Sequence, residues 1–288
     1  LYGAGARSGA AASPNTPPFL AEFGGGWFDY WGSNGDYDCT AQHRGVGYER
    51  VFYGANIANA ITLQSFYMTY GGTSWGWMPA PVVFTSYDYG SAISEERGLR
   101  DKILTMKLMG DFINAVPDLT QLDKGDLVVP SNPRVKVYHD VNNRTGTHLY
   151  VVLHNPTSGV ADETFTFQVI TRDGNYTVPS RIKGQDSKML LASYDMGGQR
   201  LVYSTSELQT HAPWNDGDIA LFYGRTGEAG ETVLRYKTAP TVEVLDGQVA
   251  HSFDAAKGDL TLTYTHPGLA RVRITGGDRK PLTLLLAD

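Results

Sequence analysis

Two segments in the first half of the chain carry the apolar periodicity of helices. In residues 48–60, apolar side chains recur at the spacing of one helix face. In residues 99–113 they recur every three or four positions. Ser94 precedes the acidic pair Glu95 and Glu96, a pattern that predicts a capped helix start with carboxylates near the positive end of the helix dipole. The pattern therefore predicts two amphipathic helices, the second starting near residue 94.

A short apolar run precedes each predicted helix. Residues 19–23 follow two prolines and end at three consecutive glycines, and residues 61–68 are closed by Gly71 and Gly72. Both runs predict strands, and the order strand, helix, strand, helix is typical of parallel β/α units. Two such units cannot close a barrel or cover both faces of a parallel sheet, so we expect further strands from upstream.

The second half of the chain has a different pattern. Apolar residues alternate with polar ones in short runs, and turn signals separate the runs. The clearest runs are residues 135–137, 149–153, 164–169, 219–223 and 260–264. The pattern predicts an all-β antiparallel sandwich domain over residues 128–288, after a β/α part over residues 1–127.

Composition narrows the function classes. The 288 residues are 41% hydrophobic with a net charge of -6, and the 24 lysines and arginines are scattered, so we expect a folded protein that does not bind nucleic acid. No apolar run approaches the roughly 20 residues of a membrane span. The chain starts at Leu1 without a signal-peptide pattern, so we expect processing or truncation. The sequons at Asn143 and Asn175 are compatible with a secreted glycoprotein.

One carboxylate stands where a β/α barrel would place a catalytic group. Glu22 lies at the end of the first predicted strand, and barrel active sites lie at the carboxyl ends of strands. Aromatic residues surround it in sequence, and their flat faces suit the apolar faces of a sugar ring. They are Trp27, Phe28, Tyr30 and Trp31, followed by Tyr67, Tyr70 and Trp75 and by Tyr87 and Tyr89. Glu22 alone could simply end an exposed strand, and each tyrosine alone could simply pack in the core. The carboxylate and the aromatic residues together favour a sugar site.

Three ordered segments resemble the β-galactosidases of glycoside hydrolase family 35, especially the large secreted fungal-type enzymes. They are residues 17–26, 67–76 and 85–90, and a weaker similarity continues through the β-rich half. The resemblance implies that residues 1–127 are the last two β/α units of a TIM barrel. It also implies a retaining exo-β-galactosidase that acts on terminal galactose, with lactose or galactan-type oligosaccharides as substrates.

The resemblance also implies residue roles. Glu22 occupies the position of the nucleophile, and Tyr67, Tyr89, Tyr87 and Trp27 are expected to bind substrate. Trp27 matches a tryptophan that lies near the sugar in the animal lysosomal branch of the family. Gly24 stands where fungal members usually have glutamine. Cys39, the single cysteine, resembles a cysteine that bonds to a partner upstream of the nucleophile strand.

The second carboxylate of the reaction is the missing part. A retaining glycosidase needs an acid/base about 5 to 5.5 Å from its nucleophile. In the family this residue lies in an Asn-Glu pair on an earlier strand, and this chain contains no Asn-Glu pair. We therefore expect the isolated chain to be inactive, with an upstream segment or a second chain supplying the rest of the barrel.

Other functions remain open at this level. A non-catalytic carbohydrate-binding or assembly module is the main alternative, and another retaining glycosidase, such as an arabinosidase or a glucosaminidase, is a further one. The seven histidines show no metal-site spacing, so no metal is expected. Because the sequence also lacks a dinucleotide fingerprint and a Gly-x-Ser-x-Gly elbow, we expect neither a cofactor nor a serine nucleophile.

Overall fold

The computed structural model describes residues 16–27, 37–79, 84–266 and 268–288. The chain divides into two compact units, residues 1–108 and 109–288. The aromatic residues Phe28, Tyr30 and Trp31 lie outside the described residues. No helix of the described ranges is long and apolar enough to cross a membrane.

The first unit is built on two parallel strands. Its elements are β1 (Phe19–Gly24), α1 (Tyr37–His43), α2 (Val46–Ile57), β2 (Leu63–Tyr67), β3 (Gly72–Thr73), a 3-10 turn (Trp75–Trp77) and β4 (Ser86–Tyr87). β1 pairs with β2 in parallel, and their register is irregular between Leu20 and Phe23. The predicted parallel strands and the helix between them are confirmed.

Helix α2 packs on this pair of strands through Tyr53. The Tyr53 ring is 1% exposed and stacks on Phe66 with ring centroids 4.1 Å apart. Its hydroxyl donates a hydrogen bond of 3.0 Å to the Phe23 carbonyl. One tyrosine therefore joins the helix to both strands of the β/α/β unit.

The predicted start of the second helix is wrong. Helix α3 spans Lys102–Ala115, and the division between the two compact units falls inside it. Ser94 instead closes a turn, since its hydroxyl accepts the Gly98 amide at 2.9 Å. The Glu95 amide donates to the Asp88 carboxylate at 2.7 Å, so this amide belongs to the loop that contains Asp88 and not to a helix. Helix α1 was not predicted, and no residue in it is buried.

The second unit is almost entirely β structure. A short 3-10 helix (Pro117–Gln121) precedes its strands. They are β5 (Asp123–Lys124), β6 (Val135–Asn142), β7 (Thr147–His154), β8 (Glu163–Thr171), β9 (Gly174–Ile182), β10 (Ser187–Asp195), β11 (Arg200–Ser204), β12 (Glu207–Trp214), β13 (Gly217–Tyr223), β14 (Ala229–Arg235), β15 (Thr241–Asp246), β16 (Val249–Asp254), β17 (Asp259–Thr265), β18 (Leu269–Gly276) and β19 (Arg279–Ala287).

These strands form two larger sheets and a hairpin within the described residues. The eight-stranded sheet has the order β16-β17-β14-β11-β10-β7-β6-β5, and the five-stranded sheet has the order β12-β13-β19-β18-β15. The hairpin β8-β9 packs its apolar face on the larger sheet, where Phe165 and Phe167 meet Tyr150 and Val202 in one buried cluster. The predicted antiparallel β structure is confirmed, except that β13 and β19 pair in parallel. The domain boundary at residues 127 and 128 stays a prediction.

Candidate active site

Glu22 lies on β1 where the pairing with β2 is irregular. Its side chain is exposed, and two residues later Gly24 pairs with Tyr67. The strand end therefore brings an accessible carboxylate next to the last residue of the neighbouring parallel strand. This is the edge at which the sequence predicted a nucleophile.

The glycines after Glu22 allow close contact with two tyrosine-bearing loops. The Gly25 amide donates to the Tyr67 carbonyl at 2.7 Å, and the Trp27 amide donates to the Tyr89 carbonyl at 2.8 Å. A Cβ at Gly26 would lie 2.5 Å from the Tyr89 carbonyl oxygen, closer than real Cβ atoms approach. The chain can pass between Tyr67 and Tyr89 only because these positions lack side chains.

Tyr67, Tyr87 and Tyr89 form one cluster, and their role in substrate binding stays a prediction. The hydroxyls of Tyr67 and Tyr87 are 3.2 Å apart, and the rings of Tyr87 and Tyr89 stack with centroids 4.2 Å apart. Tyr89 is 4% exposed and has a φ of 58°, which is unusual for a residue with a bulky side chain. Such backbone strain persists where the surroundings impose it, often at functional sites.

The tyrosine cluster interacts electrostatically with Glu22. Burial raises the pKa of Tyr67 to about 12, and the hydrogen bond with Tyr87 and the charge of nearby Glu22 add to this effect. Burial and the hydrogen bond with Tyr87 also raise the pKa of Tyr89. Both phenols therefore stay protonated at neutral pH, and a protonated phenol is a hydrogen-bond donor.

Asp88 fixes the loop that carries Tyr87 and Tyr89. Its carboxylate is buried and accepts the Gly90 amide at 2.9 Å and the Glu95 amide at 2.7 Å. The Arg100 guanidinium lies 2.9 Å from the same carboxylate. Sequence reasoning quoted Asp88 as part of a motif but gave it no role, because its partners are found only in three dimensions.

The Trp27 backbone is hydrogen-bonded to Tyr89 of the tyrosine cluster, whereas the residue as a whole is 48% exposed. The Arg44 guanidinium lies 5.1 Å from the centre of its ring, within the range of a cation–π contact. The structure thus brings together Tyr67, Tyr87 and Tyr89 with Glu22 nearby, and it places Trp27 at their margin.

A buried acid and a buried base lie behind the glycines, and sequence reasoning missed both. Lys102 donates hydrogen bonds to the carbonyls of Gly25 and Arg44. Glu49 is fully buried, and neither carboxylate oxygen has a hydrogen-bond partner among the described residues. Burial raises the pKa of Glu49 to about 8 and lowers the pKa of Lys102 to about 8.

The other carboxylates of this unit with assigned contacts already have partners or are buried. Asp88 binds Arg100 and two backbone amides, and Glu95 accepts hydrogen bonds from the hydroxyls of Thr73 and Ser86. Across the part of the chain that the structure describes, no three His, Cys, Asp or Glu side chains form a group that could hold a metal ion. The site as described thus combines the accessible Glu22 carboxylate with phenol donors and aromatic faces.

Comparison with known proteins identifies the family. The description "Beta-galactosidase, domain 2" matches residues 120–288, more than half of the chain, so the chain belongs to this family. The description "Glycosyl hydrolases family 35" matches residues 4–113, which contain Glu22 and the tyrosine cluster. The resemblance inferred from residues 17–26, 67–76 and 85–90 is therefore confirmed.

Several fungal proteins are similar to this chain. "Probable beta-galactosidase B" of Sclerotinia sclerotiorum is 36% identical over 88% of this chain and 26% of its own length. "Probable beta-galactosidase C" of Aspergillus niger is 33% identical over 91% of this chain and 27% of its own length. The protein of the same description from Aspergillus oryzae is 38% identical over 78% of this chain and 23% of its own length. The chain spans about a quarter of the length of the curated relatives it matches.

Proposed function

We propose that this chain is the nucleophile-bearing part of a retaining exo-β-galactosidase. Glu22 attacks the anomeric carbon of a terminal β-linked galactose while the glycosidic bond breaks and the leaving group takes a proton from the acid/base. Water, deprotonated by the same acid/base, then cleaves the glycosyl ester and frees galactose and the Glu22 carboxylate. The observation that carries the proposal is the position of the exposed Glu22 carboxylate beside protonated tyrosines, at the carboxyl ends of two parallel strands. The confirmed family membership of the chain supports the same reaction.

The tyrosines and Trp27 bind the galactose ring in this proposal. Tyr67 and Tyr87 share a hydrogen bond that uses one of their two hydroxyl hydrogens, so the other hydroxyl can donate a hydrogen bond to a sugar hydroxyl or to the Glu22 carboxylate. Tyr89 is buried and supports Tyr87 by stacking. The exposed Trp27 provides an apolar face at the margin. Donors held in place before the reaction stabilise developing charge without the cost of reorganising in the transition state.

The acid/base comes from outside this chain in the same proposal. Buried Glu49 and the fully engaged Asp88 are not accessible proton donors, and Glu95 is held by two hydroxyls. The remaining strands of the TIM barrel and the proton donor are supplied by an upstream segment or a second chain. The enzyme is secreted and acts on galactosides such as lactose or galactan-type oligosaccharides.

The test is hydrolysis of a chromogenic aryl β-galactoside. We expect no turnover by the 288-residue chain, and turnover by the longer protein that contains this segment. Glu22→Gln should reduce kcat in the longer protein by several orders of magnitude, because a retaining enzyme cannot form its intermediate without the nucleophile. Glu96→Gln is the matched control, since Glu96 is an exposed glutamate of the same unit.

Three outcomes would contradict the proposal. Turnover by the isolated chain that disappears in Glu22→Gln would show that an acid/base is present here. Unchanged kcat in Glu22→Gln would remove Glu22 from the reaction. Galactose binding without turnover in the longer protein, unaffected by Glu22→Ala, would favour a non-catalytic binding or assembly module.

A further inference from the structure

The second unit contains a cavity that the catalytic proposal does not use. Its volume is about 730 Å³, which lies in the range of small-molecule sites. The hairpin β8-β9 forms one wall, and β14 and β17 of the eight-stranded sheet form the other. All of its lining residues lie between Ser131 and Tyr264, whereas Glu22 belongs to the first compact unit.

The cavity has an apolar surface that is held in place. Tyr264 is 7% exposed, and its hydroxyl is 2.9 Å from the Ser206 hydroxyl and 2.7 Å from the Thr232 hydroxyl. Its ring covers Gly230, the residue opposite it on β14, where a Cβ would overlap the ring. Pro179 and Phe165 line the other wall. Fixed aromatic and proline surfaces of this kind suit the C–H faces of a sugar ring.

Three polar groups at the cavity have unused hydrogen-bonding capacity within the described ranges. The Ser180 hydroxyl oxygen is buried and has no hydrogen-bond partner there. Glu231 accepts the Tyr203 hydroxyl at 2.7 Å through Oε1, which leaves Oε2 as an acceptor. Arg181 binds the Asp162 carboxylate through Nε and Nη2, which leaves Nη1 as a donor. A buried polar atom without a partner is costly unless a ligand or water satisfies it.

The charges at the cavity disfavour an anionic ligand. Arg181 is neutralised by Asp162, and Glu228 is neutralised by Lys188. Glu231 adds a negative charge that opposes an anion. The remaining polar lining consists of hydroxyl side chains, which donate and accept hydrogen bonds without charge. They are Ser131, Thr164, Thr166, Ser180, Thr205 and Thr263.

We propose that this cavity is a saccharide-binding site, separate from the site at Glu22, that holds a neutral mono- or disaccharide. The Tyr264 ring and Pro179 contact the apolar face of the sugar. Ser180, Glu231 Oε2 and Arg181 Nη1 bind its hydroxyls. The site needs neither turnover nor the missing part of the barrel, so its test is independent of the proposed hydrolysis.

The test is calorimetric titration of the 288-residue chain with galactose and, separately, with lactose. We expect saturable binding of at least one sugar. Ser180→Phe fills the cavity and should weaken the affinity at least about tenfold, and Glu231→Gln should weaken it by a smaller factor. Thr177→Phe is the matched control, because Thr177 is exposed on the same strand β9 and does not line the cavity. Glu96→Gln, a substitution at an exposed glutamate of the first unit, should also leave this binding unchanged.

Several results would overturn the proposal. They are no saturable binding of either sugar, equal binding by Ser180→Phe and Thr177→Phe, and binding of a diamine such as putrescine without binding of either sugar. Thermal unfolding shows whether Ser180→Phe is folded. If it is not, Ser180→Ala together with Glu231→Gln decides the question, and unchanged affinity in both of these variants rejects the site.

Discussion

Lys188 offers the sharpest test of how the second unit is held together. Its side chain is 3% exposed on β10 and forms an ion pair with Glu228, which is also buried. Arg225 lies next to this pair and binds Asp186 at 2.8 Å and Glu207 at 3.0 Å. The cluster therefore holds two positive and three negative side chains in an interior where charges are poorly solvated.

Lys188→Met should destabilise the second unit strongly. The substitution keeps much of the side-chain volume but leaves Glu228 buried without its cation, beside two other carboxylates. Removing one partner of a buried ion pair costs about 3–5 kcal/mol. A domain has a total stability of about 5–15 kcal/mol, so the loss is a large share of it. The double variant Lys188→Met/Glu228→Gln should recover most of the loss, because it leaves no unpaired charge.

The assay is urea unfolding at neutral pH followed by circular dichroism, for the wild type, both single variants and the double variant. Lys183→Met is the control, since Lys183 is exposed nearby and should change the free energy of unfolding by no more than about 0.5 kcal/mol. Equal losses in Lys188→Met and in the double variant would refute the reasoning, because the cost would then not come from the unpaired Glu228. A loss in Lys188→Met no larger than that of the control would refute it as well.

Two further predictions concern the first unit. The pKa of Glu49 is raised from 4.5 to about 8 by burial, so its contribution to the unfolding free energy is complete below about pH 4.5 and is lost as pH rises to about 8. Glu49→Gln should reduce this decline by up to about 1.4 kcal/mol per pH unit in denaturant titrations across that range, and an unchanged pH profile would contradict it. Gly26→Ala should destabilise the unit by about 1–3 kcal/mol in thermal unfolding, because its Cβ would lie 2.5 Å from the Tyr89 carbonyl oxygen. Gly72→Ala, which meets nothing within 4 Å, is the control, and equal effects of the two substitutions would contradict the close packing at Gly26.

Local sequence patterns predicted the helices and strands whose apolar residues recur at a regular spacing. The parallel strands β1 and β2 and the helix α2 follow from apolar spacing, and the alternating runs predicted the strands of the second unit. The predicted start of α3 was wrong, because polar residues such as those around Ser94 can either cap a helix or close a turn. The choice depends on Asp88, a carboxylate that the chain brings there from outside that segment.

Long-range strand pairings could not be predicted from the sequence either, because they also depend on residues outside the local segment. The strands β13 and β19 pair in parallel although β14 to β18 lie between them along the chain, and no local signal specifies this pairing. At the candidate site, the motifs predicted that Tyr67, Tyr87 and Tyr89 belong together. The burial of Glu49 and the bond from Lys102 to the Gly25 carbonyl depend on how α2 and α3 pack. A glutamate in the first turn of a helix is ordinarily read as solvent-exposed.

The most direct test of the central claim is to trap the covalent intermediate. The longer protein is incubated with a 2-deoxy-2-fluoro-galactoside that carries a good leaving group, and the labelled peptide is identified by mass spectrometry. We predict one galactosyl label, on the peptide that contains Glu22, and no label in Glu22→Gln. A label on a different carboxylate, or undiminished labelling of Glu22→Gln, would show that Glu22 is not the nucleophile.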